Sequence, residues 1–220
     1  LLEPLHFRFQ TENEKVVHVD ADVGYVHRGI EQACCSKFKF RQVAYVVGRV
    51  CGLCAISHST CYSQAVEQIL GLEVPQRAKQ LRILVSELDR IHSHLLCLAH
   101  TAENTGFEAL FMSIMRDRES IMELLELVTG NRVQFDFASV GKVNRDVTPA
   151  TAAEIKRRLK EFRPKLDELD ELFRSNWTLS LRFKGVGVLD KATAMRLNAV
   201  GPLARAAGLA IDVRNETEHL

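Results

Sequence analysis

Leu81, Leu84, Val85, Leu88, Ile91, Leu95 and Leu98 recur three or four residues apart. On an α-helix that spacing gathers them on one face, whereas on a strand it would scatter them over both. A stripe of this length has to be covered by other elements, so it commits the chain to packed helices. Pro75 stands where this helix can begin, because a first-turn residue has no intrahelical use for its N–H. His92, His94 and His100 ride on the same segment, but roughly 200° separates His92 from His94 around the axis. One ion cannot meet both, and capping, surface or internally satisfied roles are expected of all three.

Before the stripe, Leu5, Phe7 and Phe9 alternate with His6, Arg8 and Gln10, and Val17 and Val19 alternate with His18 and Asp20. With the polar Glu12-Asn13-Glu14 between them, these runs predict a β-hairpin. Gly24 to Gly29 breaks the pattern, and helical spacing starts at Ile30. After the stripe, one helix is expected through Phe107 to Met115. A second should follow Asp117 through Ile121, Leu124, Leu125 and Val128 and stop at Gly130.

Thr148-Pro149 reads as an N-cap and a favoured first helical residue. The helix it opens carries Ile155, Leu159, Phe162, Leu166, Leu169 and Phe173 on one face, and Pro164 should kink it. Its other face, with Lys156, Arg157, Arg158, Lys160, Glu161, Lys165 and Glu168, is expected to be solvated. A short helix should start at Asp190. The fold class is therefore mainly α: an N-terminal β-hairpin region over 1–28, then a helical core built as a bundle of long helices over 29–220.

With 220 residues, 46% of them hydrophobic and 26% charged, the chain can bury a sizeable core. A net charge of +1 gives no footing for nucleic acid, whose binders concentrate a basic excess, so no nucleic-acid partner is expected. No apolar run approaches the roughly 18 to 20 residues that span a bilayer, and the first residues lack a signal-peptide pattern. Membrane association is expected only through partners. Six cysteines are too sparse for a disulfide scaffold, which favours a reducing cytoplasm. Cys34, Cys35 and Cys97 are expected to be small buried hydrophobes. Gly185-Val186-Gly187 lacks the strand and helix that a nucleotide loop needs.

Chemistry concentrates in Arg49-Val50-Cys51-Gly52-Leu53-Cys54-Ala55-Ile56-Ser57-His58. Soft thiolates select late transition metals, and a Cys-x-x-Cys bite lets two sulfurs reach one ion. If the segment is helical, Cys51, Cys54 and His58 fall within roughly 60° of one another and Cys61 joins the same flank. No second Cys-x-x-Cys exists among the remaining cysteines, and no βαβ context supports a thioredoxin-like pair. Spacing alone says incomplete transition-metal or redox site.

Five blocks then resemble one family: His27-Arg28-Gly29-Ile30-Glu31, Arg49-Val50-Cys51-Gly52-Leu53-Cys54, Val74-Pro75-Gln76-Arg77-Ala78, Glu87-Leu88-Asp89-Arg90-Ile91-His92-Ser93-His94-Leu95-Leu96 and Thr129-Gly130-Asn131-Arg132. Together they resemble the large subunit of membrane-bound, energy-converting nickel-iron hydrogenases of the formate hydrogenlyase type. Apart from the cysteines, they are also similar to the quinone-site subunit of respiratory complex I. The resemblance runs nearly end to end, and the cysteine pair, which the complex I subunit lacks, favours the hydrogenase branch.

The resemblance implies that Cys51 is a terminal nickel ligand and that Cys54 bridges nickel to an iron carrying carbon monoxide and cyanide. It sets Arg49 beside this cofactor and His58 next to it, orienting a cysteine or a diatomic ligand by hydrogen bonding. Glu3, in Glu3-Pro4-Leu5-His6-Phe7, resembles the family's proton-relay glutamate. Glu31 is the second candidate, with a structural ion pair to Arg28 or Arg49 as its other reading. The implied activity is reversible exchange between hydrogen and protons, with electrons passed to an iron-sulfur small subunit. Membrane-arm subunits of a hydrogenase or complex I-like assembly complete the implied partners, at the cytoplasmic, inner face of the cell membrane.

The family's second cysteine pair, in Asp-Pro-Cys-x-x-Cys, does not occur in these 220 residues, nor does its Gly-Pro-x-His-Pro segment. A front portion of a longer large subunit is therefore expected. The nickel-iron centre belongs to the full-length protein, is absent or incomplete in this chain, and leaves the isolated chain inactive. Val140-Gly141-Lys142-Val143-Asn144-Arg145-Asp146 departs from a family pattern that carries a glycine pair and a further arginine. Two other readings stay open: a complex I-like NADH:quinone oxidoreductase subunit without nickel, and a non-catalytic zinc-binding or scaffold subunit.

Overall fold

The computed structural model describes residues 5–212 and 214. Strands β1 (His6–Glu12) and β2 (Lys15–Asp22) form an antiparallel hairpin. Phe7 pairs with Ala21 and Phe9 with Val19, and the register shifts between Gln10 and Thr11. Asn13 and Glu14 turn the chain with φ of 47° and 65°, in the left-handed region that short turns need. Alternation correctly predicted the strands, but Phe7, Phe9, Val17 and Val19 are all exposed, since period two marks a face without supplying what covers it.

Nine helices follow among the described residues: α1 (Ile30–Ser36), α2 (Phe40–Val47), α3 (Ala55–Leu70), α4 (Gln76–Asn104), α5 (Glu108–Thr129), α6 (Pro149–Ser175), α7 (Trp177–Phe183), α8 (Lys191–Arg196) and α9 (Gly201–Ala206). A two-residue ladder, β3 (Ala138–Ser139) with β4 (Lys142–Val143), separates α5 from α6. The mainly α class with its opening hairpin and long helices holds. No helix among the described residues is long and apolar enough to cross a membrane.

The core lies between α4 and α5. Val85, Leu88, Leu95 and Ala99 of α4 meet Ile121, Leu124, Leu125 and Val128 of α5, and Ala55 and Ile56 of α3, Phe135, Phe137 and Ile155 and Phe162 of α6 close the cluster. Each large side chain removed from water this way contributes about 1.5–3 kcal/mol. Ala99 and Ala102 are fully buried and let the neighbouring helix approach closely. A smaller cluster of Ala194, Ala204 and Leu209 joins α8 to α9.

Two expected helices prove to be one, because α5 runs through Asp117 without a break. The Asp117 carboxylate accepts from Lys165 Nζ of α6 at 2.9 Å and does not compete for helix backbone. Gly130, with φ 81°, then ends α5 and donates its N–H to Glu126 O. Thr148 Oγ1 caps α6 by accepting from Thr151 N–H at 3.1 Å, and Asp190 caps α8 through Thr193 N–H at 2.9 Å. Helix α6 continues past Pro164 to Ser175.

The charged face of α6 is laced by ion pairs. Arg157 reaches Glu154 and Glu161, and Arg158 spans from Glu154 to Glu123 of α5. The thiols correct an expectation: Cys35 and Cys97 are exposed and Cys34 is half-buried. Cys97 lies off the α4 stripe, and α1 buries no residue. Burial raises the Cys34 pKa, helped by neighbouring Cys35 and Glu31.

Candidate metal-ligand site

Helix α2 ends at Gly48, and the chain crosses to α3 through a non-helical turn that holds both cysteines. Leu53 N–H donates to Cys51 Sγ at 3.3 Å, closing the turn. A Cβ on Gly52 would touch Val133 at 3.5 Å, so the turn packs close to the segment after α5. Cys54 occupies the N-cap of α3, and its carbonyl accepts from Ser57 and His58 N–H at 3.1 and 3.3 Å. Its Sγ lies 3.4 Å from His58 Nε2.

The shared helical flank inferred from spacing is therefore corrected. Cys51 precedes the helix, Cys54 stands at its mouth, and only His58 and Cys61 lie on it. The glycine-containing turn frees both sulfurs from a fixed helical separation, which a bite on one ion requires.

Arg28 supports this turn from outside, donating from Nη2 to Arg49 O at 2.9 Å and to Val50 O at 2.7 Å. The Arg28 guanidinium thus serves backbone carbonyls and not Glu31, which sits exposed in the first turn of α1. Arg49 folds back onto α2, its Nη1 donating to Tyr45 O at 2.9 Å and its guanidinium carbon 3.4 Å from the Tyr45 ring centre. Glu3 lies outside the described residues.

A cleft of about 780 Å³ opens beside the turn, with Cys54, Ser57 and Cys61 on one wall and Asp89, Arg90 and His94 on the other. Asp89 and His92, 2% and 0% exposed, form a buried pair with Oδ1 and Nδ1 3.3 Å apart. Burial pushes the Asp89 pKa up, against the pull of His92, the Ile56 backbone amide and Arg118. Arg118 of α5 donates from Nε to His92 O at 3.0 Å, and burial lowers its own pKa. His92 is internal as expected but only half satisfied, since its buried Nε2 has no hydrogen-bond partner among the described residues, and His100 pairs with Glu103 at 2.8 Å.

Spacing alone did not single out Asp89, the buried acid beside this cleft. Its signal was present: an acid four residues after Val85 and three before His92, in register with the buried stripe, where an ionisable group is costly without a partner.

Cys51 and Cys54 are soft donors suited to a late transition metal, and His58 is placed to orient Cys54. Among the described residues no group of three or more His, Cys, Asp or Glu could enclose an ion. The donor set fits one side of a soft-metal centre.

Two family models match the chain: respiratory-chain NADH dehydrogenase, 49 Kd subunit, over residues 104–220, and nickel-dependent hydrogenase over residues 28–102. The membrane-bound hydrogenase subunit alpha of Pyrococcus furiosus is 36% identical over 97% of this chain and 50% of its own length. Formate hydrogenlyase subunit 5 of Escherichia coli is 35% identical over 96% of this chain and 37% of its own. An NADH-quinone oxidoreductase chain of Koribacter versatilis is 35% identical over 96% of this chain and 53% of its own. The chain spans about half the length of the curated relatives it matches. Among solved structures, the membrane-bound sulfane sulfur reductase, an archaeal respiratory membrane complex, contains a chain that superposes with a TM-score of 0.90 at 29% identity, over 96% of this chain and 57% of that one.

Proposed function

This chain belongs to the family that joins the 49 kDa subunit of respiratory-chain NADH dehydrogenase to the large subunit of nickel-dependent hydrogenases, and we propose that it is the N-terminal portion of a hydrogenase catalytic subunit. The observation that carries this reading is the pair of thiols in one turn at the mouth of α3, with His58 Nε2 3.4 Å from Cys54 Sγ. Cys51 and Cys54 would supply two thiolates to a nickel-iron centre whose iron carries carbon monoxide and cyanide. When bound, such a centre supplies an open Lewis-acidic position for heterolytic hydrogen cleavage.

His58 would fix the lone-pair direction of Cys54, and Arg28 would hold the turn rigid through its two carbonyl bonds. Glu3, with Glu31 as second candidate, would carry the proton away. Arg49 would keep a positive charge close to the turn. Electrons would pass to an iron-sulfur small subunit, and membrane-arm subunits would hold the assembly at the inner face of the membrane.

Metal analysis and infrared spectroscopy of the full-length protein test this. Near-equal nickel and iron with bands from iron-bound carbon monoxide and cyanide are expected, and zinc alone would sink the reading in favour of a scaffold. The match of residues 104–220 to the NADH dehydrogenase model supports a second reading, a quinone-reducing subunit without nickel. Quinone reduction by a nickel-free complex would establish that alternative.

A further inference from the structure

We infer that the groove between the start of α2, the end of α3 and the β3–β4 turn docks an acidic segment of a protein partner, seated by an apolar anchor. Its volume is about 960 Å³, larger than the cleft beside the thiol turn. Phe38, Phe40 and Tyr45 line it from one side and Leu70 and Leu72 from another, each 39% to 53% exposed. Large apolar side chains left open together on one concavity mark an interaction surface, unlike apolar residues scattered singly.

Polar contacts fix all three walls. Tyr62 of α3 donates its hydroxyl to Phe40 O at 2.9 Å and holds the start of α2. The buried Glu67 and Arg82 grip Gly141 N–H, Ser139 O and Lys142 O, which sets the β3–β4 turn against α3. The Arg49 guanidinium steadies the Tyr45 ring from 3.4 Å. A groove already in shape costs its occupant little ordering.

Charge selects the occupant. Arg41 and Lys142 line the groove, and neither makes an ion pair among the described residues; the Arg41 guanidinium lies 5.7 Å from the centre of the Phe40 ring. Asp136, the acid among the lining residues, already accepts from Asn144 Nδ2 at 3.2 Å. Exposed Lys37 and Lys39 beside Phe38 extend the positive collar. An apolar floor between unpaired cations is complementary to Leu or Phe flanked by carboxylates, and aromatic residues with arginine are what protein interfaces favour. A bilayer meets convex surfaces and does not fill a concavity walled on three sides.

Fluorescence anisotropy of the full-length subunit with three labelled peptides tests this: Asp-Glu-Leu-Phe-Asp-Glu, its basic counterpart Lys-Arg-Leu-Phe-Lys-Arg, and Asp-Glu-Ser-Ser-Asp-Glu, which lacks the anchor. The first is expected to bind about tenfold tighter than either of the others and to weaken as salt shortens the Debye length. Arg41→Glu and Lys142→Glu should each weaken it about fivefold, and Phe38→Ser should erase most of the advantage of the anchor. Unfolding midpoints should stay near wild type, because these side chains are exposed and Lys142 joins the clamp through its carbonyl.

Equal binding of the acidic and basic peptides, or charge reversals that bind as wild type does, would overturn the inference. So would groove-dependent binding of phosphatidylglycerol vesicles without peptide binding, which means a lipid surface. A doubling of mass with concentration that Arg41→Glu abolishes means a second copy and overturns it too. Should Phe38→Ser not fold, the two charge reversals, which leave the apolar floor intact, decide.

Discussion

Arg82 of α4 grips Glu67 of α3 with two parallel hydrogen bonds, Nη1 to Oε2 at 3.0 Å and Nη2 to Oε1 at 2.6 Å, with side chains only 2% and 6% exposed. The pair also clamps the β3–β4 turn. Arg82 Nη2 donates to Ser139 O at 2.7 Å and Lys142 O at 3.2 Å, and Gly141 N–H donates to Glu67 Oε1 at 2.6 Å. All the turn's contributions come from its backbone, so the clamp does not depend on which side chains the turn carries.

Removing one member of this pair strands a buried charge. Glu67→Ala is expected to lose about 3–5 kcal/mol in urea unfolding, whereas Arg82→Met with Glu67→Leu should lose much less because no charge stays buried. Equal losses in the single and double variants would refute the clamp.

Thr148→Ala removes the side-chain oxygen that accepts from Thr151 N–H at the start of α6. A loss of about 1 kcal/mol is expected in chemical denaturation, with Thr148→Ser close to wild type.

Gly130 ends α5 with φ 81°, and a Cβ there would sit 2.5 Å from the Arg145 guanidinium. The arginine tip can move aside, but the left-handed backbone cannot relax without opening the cap. Gly130→Ala should therefore destabilise by about 1–2 kcal/mol, measured by thermal unfolding.

Acid stability carries a signature of α6. Hydrogen bonds from Arg157 and Arg158 hold the Glu154 pKa at about 2, below its usual 4.5. The folded state thus binds this proton more weakly than the unfolded state, so the contribution is complete above pH 4.5 and disappears as pH falls toward 2. Glu154→Gln should flatten the stability profile in that window, and added salt should shrink the difference because the group is partly open to solvent.

At the thiol turn, His58→Ala in the full-length protein should leave the unfolding midpoint nearly unchanged, since His58 is only half-buried. Metal retention is expected to fall by about 10–100-fold, as for other side chains that orient a ligand. Retention equal to wild type would remove His58 from the site.

Much of the secondary structure could be read from local patterns. The alternation around Glu12-Asn13-Glu14, the stripe from Leu81 to Leu98, and the caps at Thr148, Asp190 and Gly130 all describe residues within a few positions of one another, where backbone geometry alone sets which side chains share a face. The two thiols were likewise visible as a spacing. That spacing could not say that Cys51 would leave the helix, because helix entry depends on what receives the first N–H groups.

The partners were hidden for the same reason. Glu67 meets Arg82, Asp117 meets Lys165, and Arg118 meets the His92 carbonyl only once helices have crossed. A periodic pattern states which face is apolar and leaves open what lies against it, and a polar residue within that face is interpretable only when its partner is known. Composition, caps and periodicity specified the helices and the thiol pair. The crossing of α3, α4 and α5 specified which buried charges meet, and the approach of Arg28 specified how the cysteine turn is held, because side chains far apart in sequence acquire a contact energy only where packing brings them together.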